Sequence, residues 1–237
     1  MTHLNFEQLA FTASIWVLPV LLAVTFHEAA HGFVAWKLGD DTAKRLGRVT
    51  FDPLKHVDPV GTVILPVMLL LASGGKMMFG YAKPVPVNFG RLHKPRRDMV
   101  LVALAGPGAN IVLAVLFGLG LLAIKAGAGT HMSPDTVEWS ARNLVNGIWL
   151  NLILAVFNML PVPPLDGGRV AVGILPNVLA IPMARMERAG MLMILLGIFV
   201  LPYIGDQIGV DLNVFWWLVG EPASLLMNFL FTALGLS

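Results

Sequence analysis

Leu18-Pro-Val-Leu-Leu-Ala-Val-Thr-Phe-His27-Glu28-Ala-Ala-His31-Gly-Phe33 is an apolar run that carries two imidazoles and a carboxylate. Two histidines four residues apart lie on one face of a helix, where both rings reach a common metal ion. Glu28 points off that ligand face, where it can hold a water against the ion and take its proton. In a polar helix this spacing is a hydrolase motif. Inside an apolar helix the same groups cost about 2.5–3.5 kcal/mol each near a bilayer centre, so their retention marks function.

The rest of the chain places this run in a membrane. Of 237 residues, 57% are hydrophobic and 13% charged, with a mean hydropathy of +0.77. A soluble domain carries about 25% charged residues. A span needs about 20 apolar residues, and segments 8–37, 98–125, 143–160, 187–204 and 213–236 supply them. The predicted fold is an all-α polytopic membrane protein. It has five to six transmembrane helices, with a short β or re-entrant region between the histidine helix and the next span. The chain reads as one membrane-embedded domain: the 8–37 span, a 38–97 region, a 98–168 core and C-terminal spans in 169–237. The first apolar segment is expected to be a retained span.

Local signals refine this. Pro19 is expected to kink the first helix, and Gly39-Asp40-Asp41 to end it. Gly47-Arg-Val-Thr-Phe51 reads as a short strand stopped by Asp52-Pro53. Pro84 and Pro86, alternating within Gly80–Asn88, permit an edge strand but forbid a central one. Segment 57–73 is apolar but short and contains Pro66. Charge decides its reading. If it does not cross, all Lys and Arg except Lys125 and Arg142 fall on one side; if it crosses, the 16 divide almost evenly. Cytoplasmic loops collect Lys and Arg. The expectation is therefore a re-entrant or interfacial 57–73, five spans, an outer N-terminus and an inner C-terminus. His31 lies six residues before Lys37, about 9 Å along a helix, which puts the metal near the cytoplasmic face.

A catalytic zinc site normally has three protein ligands and an open position. There is no cysteine, so the third ligand is His, Asp, Glu or a neutral oxygen. Asp166 is the strongest candidate. It follows the cytoplasmic end of the 143–160 span after a proline-rich turn, and Gly167 and Gly168 allow close backbone approach. A plain turn aspartate is the competing reading. His56 and His93 lie on the same side in polar loops. Asn110, Asn143, Asn146, Asn151 and Asn158 read equally as hydrogen-bonding glue between helices. The basic loops follow from topology and anionic lipid, with no nucleic acid required.

Four motifs in order resemble the site-2 proteases, the intramembrane zinc metalloproteases, in their compact prokaryotic branch. They are Phe26-His-Glu-Ala-Ala-His-Gly32; Gly80 to Asn88; Ala105-Gly-Pro-Gly-Ala-Asn110; and Asn158-Met-Leu-Pro-Val-Pro-Pro-Leu-Asp-Gly-Gly168. Residues 187–237 match only as apolar spans, and neither the PDZ nor the CBS domains of larger relatives are read in the sequence. The resemblance implies one zinc per chain held by His27, His31 and Asp166, with Glu28 as general base. It also implies that Asn110 and Asn158 face the site, Asn158 as an oxyanion donor and Asn110 toward substrate. The expected reaction cuts a membrane-protein substrate in or near its transmembrane helix, in a prokaryotic inner membrane. Lys83, Val85 and Val87 are expected to offer that substrate an edge for strand addition. The lipid bilayer is the other expected partner; a regulator or a second copy is left open. A zinc-binding scaffold without proteolysis and a metal transporter are the alternatives from other classes. Glu28 argues against the first, and the clustering of ligands near one face against the second.

Overall fold

The computed structural model describes residues 6–64, 68 and 82–236. Helix α1 (Phe6–Lys37) runs unbroken through Pro19, which is buried inside it. The chain leaves α1 through Gly39 at φ +111°, a conformation that a side chain disfavours. A Cβ there would also sit 2.9 Å from the His93 ring. One helical turn, α2 (Thr42–Arg45), follows, then turns and the short helical segments Pro53–Lys55 and Pro59–Ile64. Residues 82–88 carry no regular secondary structure, and Asn88 at their end is extended.

Helix α3 (Pro95–Ala123) continues through Ile124–Ala128. Helix α4 (Pro134–Asn158) is capped by Ser133, whose side chain accepts the Thr136 amide. Then come α5 (Asp166–Ile174), α6 (Asn177–Ala184), α7 (Glu187–Leu195), α8 (Leu201–Ile208) and α9 (Glu221–Leu234). Among the described residues, five helical stretches are long and apolar enough to cross a membrane: Ala10–Lys37, Pro95–Ala128, Pro134–Asn158, Glu187–Ile208 and Trp216–Leu234. They coincide with the five spans expected from sequence. Residues 65–67 and 69–73 lie outside the described residues, as do Gly80 and Tyr81, and with them the choice between crossing and re-entry.

The strand expected at Gly47–Phe51 is not there: the described residues contain no strand. The polar groups of this stretch are satisfied locally. The Gly47 and Arg48 amides donate to Lys44 and Ala43 carbonyls, the Asp52 amide donates to Thr50 Oγ1, and the Thr50 carbonyl lies 3.0 Å from His56 Nε2. Such local bonds compete with a sheet ladder. Phe51 stacks on Phe26 at 4.5 Å, so this loop lies against α1 one residue before His27. Segment 82–88, expected to permit an edge strand, forms no strand and has no ladder partner among the described residues.

Helix α3 sits centrally, against α1, α4 and α5, and α1 also packs on α4. One apolar cluster joins Ala114 of α3 to Ile148 and Leu152 of α4 and Ala223 of α9. The outward faces are apolar: Val17, Val112, Leu116, Leu192 and Leu225 are each more than half exposed. The inward faces carry the polar groups: Thr25, His27, His31, Asn110, Asn143, Asn151 and Asp166 are buried. Apolar outside and polar within is the distribution a bilayer imposes.

Candidate metal centre

His27 and His31 stand one turn apart on α1, and their Nε2 atoms converge to 3.1 Å. Asp166 opens α5 and brings its Oδ2 to 3.3 Å from His27 Nε2 and 3.2 Å from His31 Nε2. The three residues form one buried group able to hold a metal ion. What carries Asp166 there is the turn after α4. A Cβ on Gly167 would lie 2.2 Å from the Met159 carbonyl oxygen, and one on Gly168 2.4 Å from Pro163 N. The turn therefore closes onto its own backbone only with glycine at both positions, as the sequence led us to expect.

The donor set fits zinc. Ligands at 2.0–2.1 Å in a tetrahedral site are about 3.3 Å apart, and these three atoms are 3.1–3.3 Å apart. Each ring uses its other nitrogen elsewhere. His27 Nδ1 donates to Asn110 Oδ1 at 2.6 Å, and His31 Nδ1 donates to the Val102 carbonyl at 2.7 Å. A neutral imidazole with its proton on Nδ1 presents the Nε2 lone pair, so both lone pairs face inward. Asp166 Oδ2 is buried with no hydrogen-bond partner. A buried carboxylate oxygen in that condition is costly unless a cation meets it.

Helix α3 supplies the third wall. A Cβ on Gly106 would lie 2.4 Å from His31 Nε2 and 2.7 Å from His27 Nε2, so only glycine lets α3 approach the ligands. The Ala105–Asn110 motif was visible in sequence, but this steric reason was not. One turn on, Asn110 is fully buried, and all of its polar atoms are engaged. Oδ1 accepts from His27, and Nδ2 donates to the Ala23 carbonyl and to Asn151 Oδ1. Asn110 was expected to face the site and bind substrate; in the structure its polar atoms are spent on His27, Ala23 and Asn151. Asn158, at the end of α4, donates Nδ2 to the Leu154 carbonyl of its own helix.

Glu28 lies beside segment 82–88. Its Oε2 accepts the Val85 amide at 2.6 Å, and Val85 packs over Gly32. The segment is pinned at further points. The Lys83 amide donates to the His56 carbonyl at 3.0 Å. The buried Arg48 guanidinium donates to the Lys83 carbonyl at 2.7 Å. The Asn88 amide donates to Asp40 Oδ2 at 2.7 Å. Burial of Asp40 pushes its carboxyl up, but hydrogen bonds from Thr42 Oγ1, the Asn88 amide and the Thr42 amide, with Arg91 nearby, hold it below the usual carboxylate range. Val87 belongs to the same run. His56 is buried and serves this segment, whereas His93 is exposed at the end of α1; neither joins the three ligands.

Residues 128–202, which include Asp166, match peptidase family M50. The Bacillus subtilis protein named "putative zinc metalloprotease YwhC" is 40% identical over 186 residues, covering 78% of this chain and 80% of that protein. The chain belongs to peptidase family M50. This is the site-2 protease family, and the chain is accordingly a zinc metalloprotease of the membrane. The Methanocaldococcus jannaschii protein named "putative zinc metalloprotease MJ0611" is 31% identical over 166 residues, 70% of this chain and 72% of that protein. The protein named Rip2 of Mycolicibacterium smegmatis is 36% identical over 148 residues, 62% of this chain and 52% of Rip2. No solved structure matches the chain.

Proposed function

We propose that the protein hydrolyses a peptide bond in or beside the transmembrane helix of a membrane-protein substrate, with His27, His31 and Asp166 holding zinc and Glu28 acting as general base. The observation that carries this reading is the convergence of three buried ligand atoms to 3.1–3.3 Å, beside the carboxylate residue Glu28, with two of the three on the span Ala10–Lys37. Zinc bound here supplies Lewis acidity, polarising the scissile carbonyl and acidifying a water. Glu28 takes the proton of the attacking water and delivers it to the leaving amine nitrogen. Asn158, eight residues before Asp166, is the candidate donor to the developing oxyanion once its amide turns from Leu154.

A helical substrate hides its carbonyls in its own hydrogen bonds, so it must unwind locally. The non-helical backbone at Lys83, Val85 and Val87 gives it an edge to pair with. Val85 N already reaches Glu28, so a peptide paired along this segment would lie against the base. The Lys- and Arg-rich loops favour a cytoplasmic site with an outer N-terminus, in a prokaryotic inner membrane. The test is reconstitution in liposomes with a labelled single-span substrate. Zinc in both the wild type and Glu28→Gln, with cleavage only by the wild type, supports the assignment. A cleaving Glu28→Gln overturns it, and a wild type that binds zinc but cleaves no membrane substrate favours the scaffold.

A further inference from the structure

Two buried asparagines from different helices form a line that ends on the metal site. Asn151 on α4 is fully buried and donates Nδ2 to the Gly147 carbonyl one turn earlier, at 2.8 Å. That carbonyl accepts only, so the Asn151 amide has one orientation, with Oδ1 turned toward α3. There Oδ1 accepts Asn110 Nδ2 at 2.7 Å. The Asn110 amide is fixed in turn, with the longer 3.3 Å bond to the Ala23 carbonyl agreeing. Its Oδ1 faces His27 Nδ1 at 2.6 Å. An oxygen at that place requires a proton on Nδ1 and leaves the lone pair on Nε2, the atom that converges with His31 and Asp166. Each step leaves the next group one choice, and the line runs from a backbone carbonyl of α4 to the tautomer of a residue on α1.

We infer that Asn151 is a positioning residue for the metal ligand His27, acting through Asn110. The inference rests on the reading of His27, His31 and Asp166 as zinc ligands. The sequence alone offers Asn151 as helix glue. The geometry gives it a further task, because an Asn110 amide released from Asn151 can rotate its Nδ2 toward His27 and select the tautomer whose Nε2 carries the proton. Partners that orient a ligating histidine are worth about 10- to 100-fold in metal affinity. Asn151 acts at one remove, and the Ala23 carbonyl still restrains Asn110, so the lower end of that range applies.

The experiment measures zinc affinity by chelator competition, and the unfolding midpoint of the metal-free protein, on the full chain in detergent. It compares the wild type with Asn151→Leu, Asn151→Asp, Asn110→Leu and the Asn110→Leu/Asn151→Leu double variant. Asn151→Leu is expected to lose about tenfold in affinity. Asn151→Asp is expected to keep wild-type affinity, since a carboxyl accepts from Asn110 in either protonation state. The double variant is expected to bind zinc no worse than Asn110→Leu alone, because Asn151 has no other route to the metal. Wild-type affinity in Asn151→Leu, failure of Asn151→Asp to rescue, or additive losses in the double variant would overturn the inference. His27→Ala serves as the control on the underlying reading: if it binds zinc as tightly as the wild type, the ligand assignment itself falls, and the relay with it.

Discussion

The two halves of the catalytic neighbourhood are built differently. The ligand cluster is held by helices: His27 and His31 on one face of α1, Asp166 at the head of α5, and α3 pressed against both rings at Gly106. The non-helical segment 82–88 is held by exchangeable hydrogen bonds from loops and single side chains, namely Arg48, His56, Asp40 and Glu28. A metal site gains from ligands that cannot move, because ordering them is completed in folding. A segment that accepts a substrate strand must give up its present bonds in exchange for new ones. On the function proposed above, the rigid half fixes the chemistry and the exchangeable half controls access to it.

That contrast can be broken from either side. The largest effect is expected at the rigid half. Gly106→Ala puts a methyl carbon where the structure leaves 2.4 Å to His31 Nε2. Overpacking of this kind costs about 1–3 kcal/mol, and here it falls on the ligands, so zinc content measured after purification should drop sharply. Full zinc occupancy in this variant would show that α3 yields more easily than the packing implies. Replacing Val85 and Val87 with proline removes two donors from the exchangeable half. Turnover of a single-span substrate should fall roughly tenfold, from hydrogen bonds worth about 0.5–1.5 kcal/mol each, with zinc content unchanged. Unaltered cleavage would rule the segment out as a docking edge.

Smaller effects probe the pins. Arg48→Met removes the donor to the Lys83 carbonyl and should lower turnover about two- to tenfold, less than the roughly 1.5–3 kcal/mol of a full charged hydrogen bond because the other pins remain, again without zinc loss. Asp40 gives a pH signature. Its folded carboxyl titrates below the ordinary 3.8, so its stabilisation is complete above that value and is lost as the pH falls through the lower folded value. Unfolding midpoints at pH 6 and pH 3 should therefore differ less for Asp40→Asn than for the wild type. Equal differences would remove Asp40 from the set of pins.

Much of this was legible in the sequence because a bilayer writes in simple terms. Five apolar stretches stand out by length alone, and imidazoles and carboxylates inside them have few bland explanations. Asp166 was legible because prolines and two glycines around it announce a turn that no helix could make. The strand at Gly47–Phe51 was misread: β-branched and aromatic residues suit a strand, but nothing in the sequence shows that the Thr50 carbonyl goes to His56 and the Phe51 ring to Phe26. The hydrogen bonds of Asn110 were illegible for a related reason. A buried amide looks the same in sequence whether it faces substrate or a ligand ring, and only the positions of Ala23, Asn151 and His27 around it decide. The Glu28–Val85 bond spans 57 residues and has no local signature at all.

The central claim is that His27, His31 and Asp166 hold one zinc ion within the membrane-spanning part of the chain. The most direct measurement is zinc stoichiometry combined with X-ray absorption at the zinc edge, on the purified wild type, His31→Ala and Asp166→Ala. The account predicts one zinc per chain in the wild type, in a nitrogen and oxygen shell containing two imidazoles and no sulfur, and loss of the ion in each variant. Stoichiometric zinc retained by both variants in an unchanged shell would contradict it.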